Sequence, residues 1–94
     1  MQPGIGETTV VATGEFDLAT AATLAEALEA ACDTGLPVRL DVTAVTFLDA
    51  WSMRTLARTR HHLSGRGMRL SVVHPRPLVR QVLELGGFAE LLTA

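Results

Sequence analysis

The chain has 94 residues, of which 48% are hydrophobic and 19% are charged. This length suits one small domain and excludes a multidomain enzyme, while the apolar content excludes an intrinsically disordered chain. No apolar run approaches the roughly 20 residues of a membrane-spanning helix, and the N-terminus has neither the basic nor the apolar region of a secretory signal. We therefore predict a single domain over residues 1–94 that is cytoplasmic and not inserted in a membrane.

The net charge of −2 conceals an uneven distribution of charge along the chain. Residues 1–50 carry eight acidic side chains against one arginine, whereas residues 51–94 carry seven arginines against two glutamates. A layered fold interleaves the two halves and cancels this asymmetry, so we expect no direct nucleic-acid binding. The single cysteine, Cys32, excludes an intramolecular disulfide and a cysteine metal cluster, and we expect it to be buried.

The first predicted unit is a strand followed by a helix. Residues 7–13 are mostly β-branched and lie between two glycines, a pattern typical of a strand. Asp17 can cap the helix that follows, which must end before Pro37. The apolar face of this helix is predicted at Leu18, Ala21, Ala22, Ala25, Leu28 and Cys32.

Two more strand-and-helix units follow. Apolar and polar side chains alternate from Val38, and this second strand is predicted to end at Asp49, which can cap the second helix. The buried face of that helix is predicted at Met53, Leu56, Ala57, Arg60 and Leu63. A third strand begins at Met68 and a third helix at Pro77. The third apolar face is predicted at Leu78, Val79, Val82, Leu83 and Leu85, with one more short helical turn over residues 88–92.

The order β-α-β-α-β-α predicts an α/β domain in which the strands pair in parallel and the helices cover one or both faces of the sheet. Loops that follow parallel strands emerge at the same edge, so Glu15, Asp17 and Asp49 should lie close together. Two roles stay open for the aspartates, because each can cap a helix and each can contact a partner. Glu15 is predicted to lie beside the two aspartates at this edge of the sheet, whichever role they have.

Trp51 is the only tryptophan and falls in the first turn of the second helix. Its ring either packs back on the core or is exposed as an anchor for a partner. We favour exposure, because Met53, Leu56 and Ala57 already supply a buried face. Further along the same helix, Arg54, Arg58 and His61 follow helical spacing and predict an exposed stripe for acidic groups of a partner.

No residues have the spacing of a catalytic or metal site. Gly65 and Gly67 follow a helix where a phosphate-binding loop would follow a strand. His61 and His62 are adjacent, so their side chains point roughly 100° apart and cannot share one metal ion. The histidines also lie two to three helical turns beyond Ser52, which excludes a catalytic triad. We therefore predict a non-enzymatic binding module with no cofactor, no metal and no catalytic residue.

Two segments resemble a known family. Residues 14–21, Gly-Glu-Phe-Asp-Leu-Ala-Thr-Ala, resemble the start of the first helix in the STAS domain of bacterial anti-sigma factor antagonists, which regulate transcription. Residues 40–49, Leu-Asp-Val-Thr-Ala-Val-Thr-Phe-Leu-Asp, are similar to the central strand of that family. The later segments Gly-Met-Arg-Leu, Pro-Leu-Val-Arg and Leu-Gly-Gly-Phe-Ala-Glu match its third helical unit, so the resemblance runs from about residue 9 to the C-terminus.

The resemblance implies a single STAS-like domain with a mostly parallel, mixed sheet and helices mainly on one face. It also implies that the chain captures an anti-sigma factor with a histidine-kinase-like ATP site and thereby releases a sigma factor. In that family, phosphorylation of a Ser or Thr at the start of the second helix turns capture off. By position, the implied partner-binding residues are Glu15, Asp17, Asp49, Trp51, Ser52, Arg54 and Arg58.

The sequence departs from the family at two places. Trp51 occupies the usual phospho-acceptor position, and Ser52, which replaces a glycine, offers a hydroxyl one position late and rotated by roughly 100°. Only residues 1–6 are available for the family's N-terminal edge strand. That strand is therefore short, absent or supplied by a neighbour, and residues 1–6 either form it or are flexible. Two alternatives stay open: an accessory STAS subunit that docks on the ATPase of a phospholipid-transport ABC system, and a scaffold that has lost the switch.

Overall fold

The computed structural model describes residues 2–4, 6–16 and 18–92. Its strands and helices are β1 (Gln2–Gly4), β2 (Glu7–Phe16), α1 (Leu18–Cys32), β3 (Val38–Leu48), α2 (Ala50–Ser64), β4 (Leu70–Val73) and α3 (Pro77–Leu85), followed by a 3-10 turn at Ala89–Leu91. The predicted β-α-β-α-β-α order is confirmed, and β1 is added as a short N-terminal edge strand.

One sheet contains all four of these strands in the order β1-β2-β3-β4. Strands β2, β3 and β4 pair in parallel, whereas β1 runs antiparallel to β2 with Gln2 opposite Thr9. An isolated parallel bridge also joins Val72 of β4 to Leu92. The sheet is therefore mixed and mostly parallel, as the resemblance implied.

The helices pack on one face of the sheet. Val38, Leu40 and Val42 of β3 are each 1% exposed and belong to the hydrophobic core. Side chains from all three helices complete that core, namely Leu24, Leu28, Leu56, Leu63, Val79 and Leu83. Val11, between two buried residues of β2, is 63% exposed on the opposite face. The one-sided arrangement of the helices is thus confirmed.

Strand β3 carries two irregularities where it pairs with β2. The register steps from Val11 opposite Asp41 to Thr13 opposite Ala44, so β3 has one extra residue there. A second extra residue lies between the pairs of Gly14 and Glu15. Bulges of this kind bend a strand and redirect its side chains. As a result, buried positions along β3 change from every second residue to every third, at Val42, Val45 and Leu48.

Two predicted strand boundaries were wrong by two or more residues. Strand β2 continues to Phe16 instead of ending at residue 13, because Gly14 adopts a positive φ of 85° and stays in the ladder opposite Val45. Strand β4 begins at Leu70 instead of Met68. The Met68 amide donates to the carbonyl of Leu63 at 2.9 Å, which keeps it in the turn that ends α2.

Parts of the predicted helix faces were also wrong. In α1, Leu24 is buried and Ala22 is exposed, because the helix is rotated from the predicted phase. In α3, Leu78 and Leu85 are 55% and 81% exposed, so only Val79 and Leu83 are fully buried. In α2, the partly buried positions Met53, Ala57 and Arg60 flank a fully buried row that includes polar residues, namely Ser52, Thr55, Leu56, Thr59 and Leu63.

The segment after α3 packs against α2 through contacts with Arg60. The Arg60 guanidinium lies 4.8 Å from the ring centroid of Phe88 and forms an ion pair with Glu90. Phe88 is itself buried in the core. Together these contacts hold the Ala89–Leu91 turn against the helical layer.

No helix in the described part of the chain is long and apolar enough to cross a membrane.

Candidate functional site

The C-terminal ends of β2 and β3 form one edge of the sheet. Phe16 pairs with Leu48 across the two strands, and Glu15 pairs with Phe47. Glu15 is exposed, and its backbone carbonyl accepts a hydrogen bond from Thr20 Oγ1 at 3.1 Å. The predicted convergence of the two strand ends is therefore confirmed. Asp17, the third predicted member of this corner, lies outside the described residues.

Asp49 caps α2. Its backbone is extended, with φ −97° and ψ −177°, and Oδ1 accepts a hydrogen bond from the Ser52 backbone N–H at 2.9 Å. This bond satisfies one of the four amides that have no partner in the first turn of a helix. The capping role predicted for Asp49 is confirmed. Asp49 is only partly buried.

Trp51 is exposed. Its side chain is 49% accessible, and the Arg54 guanidinium lies 5.2 Å from the ring centroid, within cation–π range. The structure thus selects the exposed arrangement over the core arrangement. Phe47 lies two residues before the capping Asp49 and is 44% exposed, so it provides a second exposed aromatic ring. The sequence pattern had indicated it only as an apolar residue of the strand. We call Phe47, Asp49, Trp51 and Arg54 the α2 N-terminal surface.

Ser52 points away from this surface. Its side chain is 0% exposed, and Oγ has no hydrogen-bond partner among the residues that the structure describes. The step of roughly 100° between successive helical residues explains why Trp51 faces solvent while Ser52 faces the core. The Ser52 hydroxyl is therefore buried in this conformation, and its contact with a partner stays a prediction.

The basic stripe predicted along α2 is exposed. Arg54, Arg58 and His61 all face solvent. The ion pairs within the described ranges are Arg39 with Glu7 and Arg60 with Glu90, so none involves this stripe. The stripe therefore extends the α2 N-terminal surface towards the middle of the helix with positive charge that is available to a partner.

Groups with shifted pKa values, among them Asp41 and Cys32, lie away from this surface. A hydrogen bond from the Thr43 hydroxyl, followed by one from the Thr43 amide, lowers the pKa of Asp41. Burial raises the pKa of the Cys32 thiol, which favours its neutral form. Among residues 2–4, 6–16 and 18–92, no three His, Cys, Asp or Glu side chains are grouped as metal ligands. The α2 N-terminal surface itself presents exposed aromatic and charged side chains.

Comparison with known proteins gives one family and several structural neighbours. The family model for the Mlab, STAS domain matches residues 5–93. The structure of the Bacillus cell fate determinant SpoIIAA in its phosphorylated form is similar at a TM-score of 0.76 and 15% identity, covering 99% of this chain and 86% of that chain. No curated protein sequence matches the chain.

Two further solved structures have the same fold. The anti-sigma factor antagonist SpoIIAA in its unphosphorylated form matches at a TM-score of 0.80 and 19% identity, over 94% of this chain and 79% of that chain. A putative anti-sigma factor antagonist from Thermotoga maritima matches at 0.78 and 18% identity, over 90% and 76%. At these identities the likeness shows a shared fold.

Proposed function

This chain belongs to the STAS domain family, and on that premise we propose that it is a non-enzymatic regulatory module that captures an anti-sigma factor. Capture of a kinase-like anti-sigma factor would release the sigma factor that the anti-sigma factor holds. Such a protein acts in the bacterial cytoplasm, where the sigma factor meets RNA polymerase. The observation that carries the proposal is the exposed Trp51 beside the capping Asp49, at the position where the family places its switch.

The composition of the α2 N-terminal surface supports binding at this position. Tryptophan and arginine are the residues most enriched among interface hot spots, and both occur here in contact with each other. The Arg54 guanidinium restricts the motion of the indole, so less side-chain entropy remains to be lost on binding. Phe47 contributes apolar area, and the exposed Arg58 contributes a charge that attracts acidic groups.

The same residues support a binder without the family's phosphorylation switch. The indole of Trp51 has no hydroxyl, so it cannot accept a phosphoryl group. Ser52, the adjacent hydroxyl, is 0% exposed. A dianionic phosphate at this surface would repel acidic neighbours such as Asp49 and cost desolvation at an interface. Without an accessible acceptor at this turn, capture stays permanently available.

A second candidate is favoured by that missing acceptor. An accessory STAS subunit on the ATPase of a phospholipid-transport ABC system would be a lasting component of a complex and would need no phosphorylation switch at the start of α2. It would use the same exposed surface of Trp51 and Arg54 to dock. The two candidates differ in the partner and agree in the contact residues.

Capture from the native cytoplasm tests the proposal. Immobilised protein should retain an anti-sigma factor with a histidine-kinase-like ATP site, and retention of a transport ATPase would instead support the second candidate. Trp51→Ala and Arg54→Ala should each weaken binding of the purified partner by about tenfold or more in calorimetry. Leu78→Ala, at a 55% exposed position on α3, is the matched control and should bind normally.

Two results would overturn the proposal. Binding that is unchanged in Trp51→Ala would place the contact elsewhere. A stoichiometric phosphoryl adduct on Ser52, seen by intact mass after incubation with partner and ATP, would show that the switch survives at a buried residue.

A further inference from the structure

A groove between α1 and α2 has walls of opposite charge. It encloses about 500 Å³ between the C-terminal halves of the two helices. Its first wall carries Glu29 of α1 and Asp33, which directly follows α1, and α1 itself has no basic residue. Its α2 wall carries Arg58, His61 and His62, and α2 has no acidic residue. The charge asymmetry along the sequence is therefore not cancelled in the helical layer, because the acidic and the basic side chains lie on opposite walls of one groove.

The two walls leave their charges available. Glu29, Asp33 and Arg58 are all exposed. The ion pairs in the described part of the chain join Arg39 to Glu7 and Arg60 to Glu90, so neither of them crosses the groove. Since these opposite charges line one groove without pairing, they can pair with groups brought by another molecule.

We propose that a second copy of this chain covers the groove. The occupant must present basic groups over α1 and acidic groups over α2, and the chain itself presents this pattern. The helices α1 and α2 run in the same direction, because each follows one of two parallel strands and packs on the same face of the sheet. A twofold axis that lies in the interface and runs along the groove therefore places α1 of one copy over α2 of the other.

This symmetry also brings walls of opposite charge together. Glu29 and Asp33 line one side of the groove and Arg58 and His62 line the other, so in the dimer the acidic wall of each copy faces the basic wall of the other. The contact is isologous and forms twice, as a closed dimer requires. A twofold axis across the groove would instead place α1 on α1, with like charges opposed. The inference goes beyond the proposed capture function and does not depend on it, but both use Arg58, so capture and dimerisation would compete for that side chain.

The dimer should be weak and sensitive to salt. Its contacts are polar and exposed, and pairs of this kind contribute little individually and are screened by ions. Sedimentation velocity of the full chain over a range of concentrations at low salt should show a reversible monomer–dimer equilibrium. Raising the salt concentration to about 0.5 M, where the Debye length falls below about 5 Å, should weaken dimerisation by about tenfold or more.

Charge reversal on each wall provides the decisive test. Asp33→Arg and Arg58→Glu should each weaken self-association by about tenfold or more, because each dimer then contains two like-charge contacts. An equimolar mixture of the two variants should form a mixed dimer about as stable as the native one, because the new arginine meets the new glutamate and the second contact is native. The matched controls are Glu84→Arg and Arg80→Glu on α3, which make the same charge changes at exposed positions.

The mixture of the two variants can also overturn the proposal. If the two groove variants stay monomeric when mixed, a second copy does not cover this groove. The same conclusion follows if either groove variant dimerises as well as the native chain, or if the α3 controls weaken dimerisation equally. Circular dichroism of each variant confirms that it is folded before it is compared.

Discussion

The Asp49 carboxylate accepts a hydrogen bond from the Ser52 amide at 2.9 Å, so the residue directly before α2 is the residue that caps it. Asparagine at this position can accept the same hydrogen bond without a charge, whereas alanine has no side-chain acceptor. We expect Asp49→Ala to lower the free energy of unfolding by about 1 kcal/mol in urea denaturation, and Asp49→Asn to lower it by much less. Equal stability of all three proteins would contradict the capping role. Weaker partner binding by Asp49→Asn, at nearly unchanged stability, would assign the charge to recognition.

Ser52 and Thr55 should respond to alanine in opposite directions. The Ser52 hydroxyl is buried and has no described partner, so its removal relieves a desolvation cost. Ser52→Ala should raise the free energy of unfolding by about 1 kcal/mol. The Thr55 hydroxyl donates to the Trp51 carbonyl at 3.2 Å and its side chain is buried, so Thr55→Ala should lower it. Destabilisation by Ser52→Ala would indicate that a partner for Oγ exists in solution.

Thr43 should control the titration of Asp41. The Thr43 hydroxyl lies 2.6 Å from Asp41 Oδ1 and is the main cause of the lowered pKa. A carboxylate whose pKa is lowered by folding stabilises the fold above its unfolded pKa, and this stability is lost as the pH falls through the folded value. Thr43→Val should move the Asp41 pKa back towards the ordinary aspartate value, as followed by carboxyl-carbon NMR. It should therefore also reduce the acid sensitivity that Asp41 contributes. An unchanged Asp41 titration would rule out this bond in solution.

Two leucines of α3 should differ sharply in their effect on stability. Leu83 is 0% exposed in the core, whereas Leu85 is 81% exposed. Leu83→Ala should lower the free energy of unfolding by about 2–5 kcal/mol, and Leu85→Ala should change it by less than about 0.5 kcal/mol. Chemical denaturation of both variants checks the difference. Similar losses at the two positions would mean that Leu85 is covered in solution.

The order of the elements could be predicted because each unit has a strong local signal. Alternation at Val38, Leu40 and Val42 and the breaker Pro37 fix a strand and the end of the preceding helix with little help from tertiary contacts. The position of the capping Asp49 follows from the same kind of local rule, because an aspartate directly precedes the helix. These features needed no knowledge of which elements pack together.

The faces of the helices were predicted less well, because apolar residue type does not determine burial. Thr55 and Thr59 are buried because each hydroxyl donates to the carbonyl four residues earlier, a contact that a hydrophobic pattern does not register. Leu78 and Leu85 are apolar and exposed, which is common on protein surfaces. Exposure of Phe47 depends on a bulge in the pairing of β2 with β3, and residues far apart in the sequence set that register.

The two extra residues of β3 impose a length constraint on the segment that leads to the site. They fix how many residues separate the core position Val42 from the cap Asp49, and hence the direction in which Trp51 leaves the first turn of α2. Deleting one residue here would change the register and turn the following side chains to the opposite face of the sheet. Homologous segments should therefore vary in residue type far more readily than in length, and loop grafts into this protein should preserve residues 42–49 as a unit.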